Sequence, residues 1–366
     1  MKNKKIIIAG GSGYIGQALV RYFGNDNEIV ILGRQSGDTR NNAYRQKLLT
    51  AADGYRVRYV QWNGKDAAPN WVAEIDGADL VINLAGKSVN CRYHKKQRKA
   101  IIDSRVLPTL AIGEAIRLAA RPPALWINAA SATIYRHSPD KPNDEFTGRI
   151  SERRRDNMPY NMIDQLRYRK DRMLTGLLQK ELQPWRDPEL DFSIQVCRQW
   201  EQAFFTQPTP ATRKIALRTA ITLGPGGIII PYLNLCKWGL GGKHGNGQQL
   251  FSWVHEEDVA RMIAWLFEQE GAQGIYNCVA PNAVSNYSFM KTLRQATSHR
   301  FGLPAPTLLL EAGAWLIGTE TELMLKSRWA VPARAQQEGF VFRHPLLKEA
   351  MQQIVSQLPR RAYHLC

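Results

Sequence analysis

The feature that most constrains the fold is a glycine-rich turn near the start of the chain, in the stretch "IIIAGGSGYIG". Lys5–Ala9 has the β-branched composition of a buried parallel strand, and Tyr14–Phe23 follows with helical spacing. Between them, Gly10, Gly13 and Gly16 form a GxxGxxG pattern. The first glycine permits a tight turn, the second lets the backbone approach a pyrophosphate, and the third lets the helix pack against the strand. Glycine turns also join strands to helices for structural reasons alone, but the order strand, turn, helix favours a dinucleotide-binding site.

The residues around this turn are the predicted cofactor site. The first turn of the helix presents unpaired N–H groups and the positive end of the helix dipole, which favour a phosphate. We therefore expect the cofactor to contact the turn and the start of the helix, at Gly10, Gly13, Tyr14, Ile15 and Gly16.

The second predicted strand, residues 28–32, ends close to Arg34. A site for NAD usually carries an acidic residue here, which binds the ribose hydroxyls. A guanidinium suits a 2′-phosphate instead and leaves the hydroxyls of NAD without a carboxylate acceptor. Arg34 therefore predicts NADP(H) as the cofactor, and the alternative is an ordinary surface arginine at a strand end.

Strands and helices continue to alternate along the chain. Strands are predicted over residues 55–62, 78–86 and 124–131, and helices over 71–75 and 95–119. This alternation is typical of a doubly wound parallel sheet of the Rossmann type, whose ligands bind beyond the carboxyl ends of the strands. "NLAG" and "AAS" fall at two such ends, and we expect Leu84 and Ala85 to contact the cofactor.

Several motifs together resemble one enzyme family. The GxxGxxG turn, "NLAG" and the "SATIY" that follows the fifth strand are similar to those of extended short-chain dehydrogenases/reductases of the epimerase/dehydratase type. The later stretches "CRQWE", "LRTAITLGPGG", "GLGGKHGNGQQLFSWVHEEDV" and "PARAQQEGFVFRHPLLKEAM" resemble the epimerase-family proteins that end in a C-terminal domain of unknown function. The resemblance covers nearly the whole chain.

This resemblance implies an α/β fold, in which a Rossmann-type doubly wound parallel sheet is joined to a smaller, interleaved C-terminal substrate lobe. We expect the NADP-binding domain to span residues 1–223 and the substrate lobe 224–366, with 248–280 returning to the first domain. Residues 149–190 have no strand signal and depart from the family, so we expect an insertion there. The insertion is predicted to form helices over the cleft mouth, or else a solvated excursion or an oligomer contact.

The resemblance also implies the catalytic groups. It places the catalytic serine at Ser131, where the hydroxyl would polarise a substrate oxygen, and a YxxxK pair on a helix downstream. The matching helix is residues 191–205, in which Ser193 occupies the tyrosine position and Cys197 the lysine position. The usual tyrosine–lysine pair is therefore missing, and members of this family commonly depart from YxxxK here.

Other acid and base candidates stay open. One literal YxxxK joins Tyr287 to Lys291, but it follows the predicted sheet and we interpret it as coincidence. Tyr135 lies on the same loop as Ser131 and is the second predicted catalytic residue, with His137 beside it.

Two pairs of charged or titratable residues allow two interpretations each. His255 and Asp258 in "WVHEED" are either acid–base groups or a hydrogen-bonded helix N-terminus beside the cleft, and we favour the second. Arg105, in "DSR", matches a serine–arginine pair of the family, and Arg218 begins a predicted sixth strand, "IALRTAITLG". Both arginines are predicted to bind the cofactor, and the alternative for either is an ordinary ion pair.

Composition restricts the partners. The 366 residues carry a formal net charge of +17, with basic clusters at 91–99, 149–156 and 167–172. The sequence has no recognised nucleic-acid motif, so a solvated basic face is the simpler interpretation of this charge. Five scattered cysteines without a CxxC argue against disulfides and a zinc ribbon, and the N-terminal apolar run is too short for a signal peptide or a membrane span. We expect a cytoplasmic protein without a membrane, metal or specific nucleic-acid partner.

Two functions from different classes follow. The first is an atypical oxidoreductase or epimerase that acts on a small carbonyl or sugar-nucleotide substrate, and it is favoured by Ser131 and the elaborate "GLGGKHGNGQQ" loop. The second is a cofactor-binding sensor or interaction protein without turnover, and it is favoured by the missing tyrosine–lysine pair. A homo-oligomer is compatible with either. Nucleic-acid binding, a third function, rests on charge alone.

Overall fold

The structure, a computed structural model, describes residues 1–34, 56–153, 190–305 and 327–364. Within these ranges the strands are β1 (Lys5–Ala9), β2 (Glu28–Gly33), β3 (Arg56–Gln61), β4 (Leu80–Asn83), β5 (Leu125–Ser131), β6 (Arg213–Thr219), β7 (Ile221–Leu223), β8 (Leu250–Phe251), β9 (Trp253–His255), β10 (Gly274–Cys278) and β11 (Val284–Ser285). The helices are α1 (Tyr14–Phe23), α2 (Pro69–Ile75), α3 (Lys95–Leu118), α4 (Phe192–Phe205), α5 (Ile229–Lys237), α6 (Glu256–Glu268), α7 (Asn286–Ala296), α8 (Ala333–Gln337) and α9 (Leu347–Ser356). The predicted insertion at 149–190 lies almost entirely outside the described residues.

Seven strands form one parallel sheet in the order β10-β6-β5-β4-β1-β2-β3. The strand order reverses at β1, where Ile7 pairs with Val30 of β2 on one side and with Val81 of β4 on the other. This reversal opens a crevice beyond the carboxyl ends of the strands, where ligands of doubly wound sheets bind. The predicted Rossmann-type fold is therefore confirmed.

Both faces of the sheet are covered, which explains why its strands are continuously apolar. Side chains of β1 alternate between two cores. Ile6 and Ile8 lie in the core on the face of α1 and α6, whereas Ile7 and Ala9 lie in the core that contains Trp71 of α2 and side chains of α3.

The chain returns to the sheet late. The predicted sixth strand divides at Ala220, because β6 stays in the large sheet while β7 pairs in parallel with β9. Helix α6 then covers one face of the sheet and β10 adds its seventh strand beside β6. Residues of β9, α6 and β10 therefore share one apolar core with the strands from the first half of the chain. The predicted domain boundary at residue 223 stays a prediction.

A separate apolar core lies in the C-terminal half. It joins α5, α7 and α9, with side chains that include Tyr232, Leu233, Phe289, Leu293 and Met351. The small antiparallel pair of β8 and β11 lies next to it. This third apolar core forms a separate lobe.

A buried histidine in this lobe gives a pH-dependence prediction. The ring of His244 is stacked on Tyr232 with 5.8 Å between ring centroids, and neither ring nitrogen has a hydrogen-bond partner in the described part of the chain. Burial lowers the pKa of His244 to about 4. The pKa of His244 is therefore lower in the folded protein than in the unfolded chain. Its contribution to the free energy of unfolding is complete above a pH of about 6.5 and is lost as the pH falls towards 4.

We expect the titration of His244 to lower the free energy of unfolding by about 2–3 kcal/mol when the pH falls from 7 to 4.5. His244→Phe keeps the stacked ring and removes the titration, so its unfolding free energy falls less over the same interval. Urea unfolding of both proteins at the two pH values measures this difference. An equal loss in the variant contradicts the prediction.

Candidate functional site

A cavity of about 590 Å³ lies beyond the carboxyl ends of β1, β4, β5 and β6. Of the residues predicted from the sequence to form the site, its walls contain Gly10, Gly13, Tyr14, Ile15, Gly16, Leu84, Arg105 and Ser131. Among the described residues, no carboxylate, histidine or cysteine lines the cavity. Its charged wall groups are therefore cations.

The glycine turn has the geometry that close approach of a ligand requires. Gly10 has a φ of +76°, and a Cβ there would lie 3.0 Å from the backbone of Leu84. The N–H of Gly13 donates to the carbonyl of Gly10 at 3.0 Å and closes the turn before α1. A Cβ at Gly16 would lie 2.5 Å from the Cα of Gly11, so only glycine allows this helix to pack so closely on the turn.

A buried polar network holds the loop after β4. Asn83 donates to Asn128 at 2.7 Å and to Thr109 at 3.1 Å, and it accepts the N–H of Ala85 at 3.0 Å. Trp200 of α4 donates to the same Thr109 at 3.2 Å. The network fixes the backbone of the "NLAG" stretch, so Leu84 reaches the cavity whereas Ala85 is buried with its N–H already bonded. Ala85 does not line the cavity, and its contact with the cofactor stays a prediction.

Ser131 stands at the end of β5 and on the cavity wall. Its Oγ accepts the N–H of Thr133 at 3.2 Å and so begins the short 3₁₀ turn that follows. This bond uses an acceptor site of the hydroxyl and leaves its hydrogen free to be donated to a ligand.

Tyr135 and Arg218, both predicted as site residues, do not lie on the cavity wall. The Tyr135 side chain is 1% exposed, and its hydroxyl donates to Asn277 at 2.9 Å and accepts from Arg218 at 3.0 Å. Arg218 also forms two 2.8 Å bonds to the Glu201 carboxylate. Sequence reasoning missed this partner, and a buried ion pair with all groups satisfied explains Arg218 without a cofactor.

Helix α4 matches the YxxxK helix of the family, but neither Ser193 nor Cys197 lines the cavity. Ser193 is buried near the start of α4, and Cys197 lies in a small core behind the 3₁₀ turn. Burial raises the pKa of the Cys197 thiol to about 12, so this group is neutral at physiological pH. Tyr287 and Lys291 lie on α7 in the other lobe, outside the cavity wall, and Tyr287 is 52% exposed.

The remaining candidates occupy defined positions. Arg34 is exposed just after β2, and His137 accepts the N–H of Ser327 through Nδ1 at 3.0 Å. His255 caps α6 by accepting the N–H of Glu257 at 3.2 Å, and Asp258 accepts the N–H groups of Arg343 and His344. These last contacts favour the interpretation of His255 and Asp258 as a hydrogen-bonded helix N-terminus.

Sequence reasoning missed several polar groups on the cavity wall. Lys87, Thr133 and Gln249 line it, and so does Arg328 from the C-terminal segment. No local sequence pattern predicts that Arg328 lines the cavity, because its position depends on how the two lobes meet.

The parallel sheet, the glycine turn and the crevice are typical of nucleotide-binding α/β proteins. The sequence model of the NAD dependent epimerase/dehydratase family matches residues 6–165, and that of a domain of unknown function, DUF1731, matches residues 305–354. The chain is therefore similar to epimerase-family proteins that end in a DUF1731 domain.

Known relatives match along almost the whole chain. Epimerase family protein YfhF of Bacillus subtilis is 28% identical over 96% of this chain and 98% of its own, and SSP1921 of Staphylococcus saprophyticus is 27% identical over 96% and 99%. The crystal structure of human epimerase family protein SDR39U1 (isoform 2) with NADPH has a TM-score of 0.72 and 23% identity, and the match covers 97% of this chain and 100% of that one. In the described ranges, none of the helices combines the length and hydropathy of a membrane span.

Proposed function

We propose that the protein binds NADP(H) in the cavity and acts as an oxidoreductase or epimerase on a small substrate with a carbonyl group. The observation that carries this proposal is the continuity of the cavity from the glycine turn at Gly10 to the hydroxyl of Ser131. The human relative whose structure contains NADPH supports the same choice of cofactor.

The residues of the cavity suit a dinucleotide. The turn and the start of α1 present backbone N–H groups to the pyrophosphate, and Arg34 supplies a cation for the 2′-phosphate. Bound NADPH supplies a hydride to a carbonyl carbon. The Ser131 hydroxyl would donate a hydrogen bond to the carbonyl oxygen and polarise the bond, and the oxygen would take up its proton from solvent water.

A non-catalytic, cofactor-binding role is the second candidate. It is favoured by the absence of any histidine or carboxylate on the described cavity wall, and by the buried, neutral Cys197 where a lysine is usual. Without a general acid of near-neutral pKa, proton transfer loses a factor of about 10²–10⁴. NADPH binding without oxidation by any carbonyl compound would establish this second role.

Cofactor choice gives a direct prediction. We expect NADPH to bind more tightly than NADH by about 1–3 kcal/mol, because a guanidinium–phosphate bond is charge-assisted. Arg34→Ala should remove most of this preference and leave the affinity for NADH nearly unchanged. Calorimetric titration measures both, and Arg56→Ala, at the opposite end of the neighbouring strand, is the matched control. Equal affinities in the unaltered protein would refute the role of Arg34.

A further inference from the structure

Two arginine side chains face the same cavity from different parts of the chain. Arg105 comes from α3, and Arg328 comes from the segment that leads into the DUF1731 domain's α8. Arg105 lies over the ring of Trp200, with 5.3 Å between its guanidinium carbon and the ring centroid, and donates to the backbone carbonyls of Lys87 and Ile101. In the described residues, neither guanidinium has a carboxylate partner.

The Arg328 guanidinium has fewer hydrogen-bond partners than that of Arg105. Its Nε and Nη1 are buried and have no hydrogen-bond partner within the described ranges. Arg328 as a whole is partly exposed, but buried N–H donors of a cation are costly to leave without a partner, and an anion normally pairs with them. The buried Glu201 carboxylate is not a partner either, because both of its oxygens bind Arg218.

The backbone around Arg328 is held firmly on both sides. Its N–H donates to the carbonyl of Leu250 at 3.3 Å, and its carbonyl accepts from the hydroxyl of Ser252. Ser252 also accepts the N–H of Ala330 at 3.0 Å, and Asn143 pairs with the residues on either side of Ala330. The guanidinium is therefore presented from a braced segment, as a preorganised binding group requires.

Contacts connect both arginines to one small region around Cys197 of α4. Arg105 lies over the ring of Trp200, which is three residues after Cys197 on α4. Ala330, two residues after Arg328, lies in the same small apolar core as Cys197. Cys197 itself is behind the wall, next to Ala132 of the 3₁₀ turn that follows Ser131. The two cations thus converge on the end of the cavity that holds Ser131, where the proposed function places the substrate.

We propose that the substrate carries an anionic group, a carboxylate or a phosphate, which binds between Arg105 and Arg328 next to Ser131. This proposal rests on the proposed function for the position of the reacting carbonyl. It assigns Arg105 to the substrate rather than to the cofactor, and it gives the C-terminal domain a role: the domain contributes half of the anion site through Arg328.

The test compares matched anionic and neutral probes on the full chain saturated with NADPH. Pyruvate is paired with methyl pyruvate, and dihydroxyacetone phosphate with dihydroxyacetone, so that each pair differs in charge but keeps the carbonyl. We expect the anionic member of at least one pair to bind tenfold or more tightly by calorimetry. The pair that shows the preference identifies carboxylate or phosphate as the group. No preference in either pair overturns the proposal.

Variants then locate the anion. Arg328→Gln and Arg105→Gln should each weaken the preferred anion tenfold or more, with less than a twofold change in NADPH affinity. Arg117→Gln, an exposed arginine on the same helix as Arg105, is the control and should change neither. If Arg328→Gln instead weakens NADPH, the guanidinium holds a cofactor phosphate and this proposal is wrong while the proposed function stands. Failure of the unaltered protein to bind NADPH would refute the proposed function separately, and the probe comparison in the unaltered protein does not depend on how the variants fold.

Discussion

Arg218→Met is expected to lower the free energy of unfolding by about 3–5 kcal/mol, because it leaves the Glu201 carboxylate buried without its partner. Arg218 is 4% exposed and Glu201 8%, so water cannot replace the lost bonds at low cost. The Tyr135 hydroxyl loses a donor as well. Urea unfolding at pH 7 measures the effect.

Two controls make this prediction specific. Lys99→Met breaks an exposed ion pair with Asp103 on α3 and should cost about 0.5 kcal/mol or less. Arg218→Met with Glu201→Leu removes both charges and should recover much of the loss. If Arg218→Met unfolds like the parent protein but loses its affinity for NADPH, Arg218 is a cofactor residue after all and the structural assignment fails.

Ser131→Ala is expected to lower any NADPH-dependent carbonyl reduction by about 10²-fold or more, because it removes the hydrogen-bond donor that stabilises charge on the substrate oxygen. We also expect the unaltered protein to reduce simple carbonyl compounds slowly, if at all, since α4 carries no tyrosine–lysine pair. Steady-state oxidation of NADPH across a carbonyl panel measures both rates.

The matched variants separate the alternatives. Thr133→Val removes another hydroxyl from the cavity wall and should have a small effect. Tyr135→Phe should reduce stability through the lost bonds to Asn277 and Arg218, and leave NADPH affinity unchanged. A rate that is insensitive to Ser131→Ala rules out the proposed donor, and a rate abolished by Tyr287→Phe would show that Tyr287 and Lys291 form the catalytic pair.

The sheet and the glycine turn are readable from the sequence because their signals are local. A β-branched run, three glycines at fixed spacing and an amphipathic helix are each visible within about twenty residues, and the structure has β1, the turn and α1 at the predicted bounds. The strand order then places the crevice beyond the carboxyl ends of the strands. Ser131 lines this crevice because it is the last residue of β5.

The polar groups behind and across the cavity are not readable in this way. Tyr135 and Arg218 have the residue types of site groups, but their roles depend on Glu201 and Asn277, which come from α4 and β10. Arg328 is 223 positions from Arg105 in the sequence and reaches the same cavity only because its segment lies along β8. Such long-range pairings carry no local pattern, and the structure is needed to reveal them.

A crystal structure of the protein with bound NADPH tests most directly whether this cavity is the cofactor site. We predict the pyrophosphate against the turn at Gly10 and Gly13, the 2′-phosphate at Arg34, and nicotinamide C4 facing Ser131. Arg105 and Arg328 should remain free of cofactor phosphates. NADPH bound outside the crevice, or with its nicotinamide beside Tyr287 and away from Ser131, would contradict the proposed function.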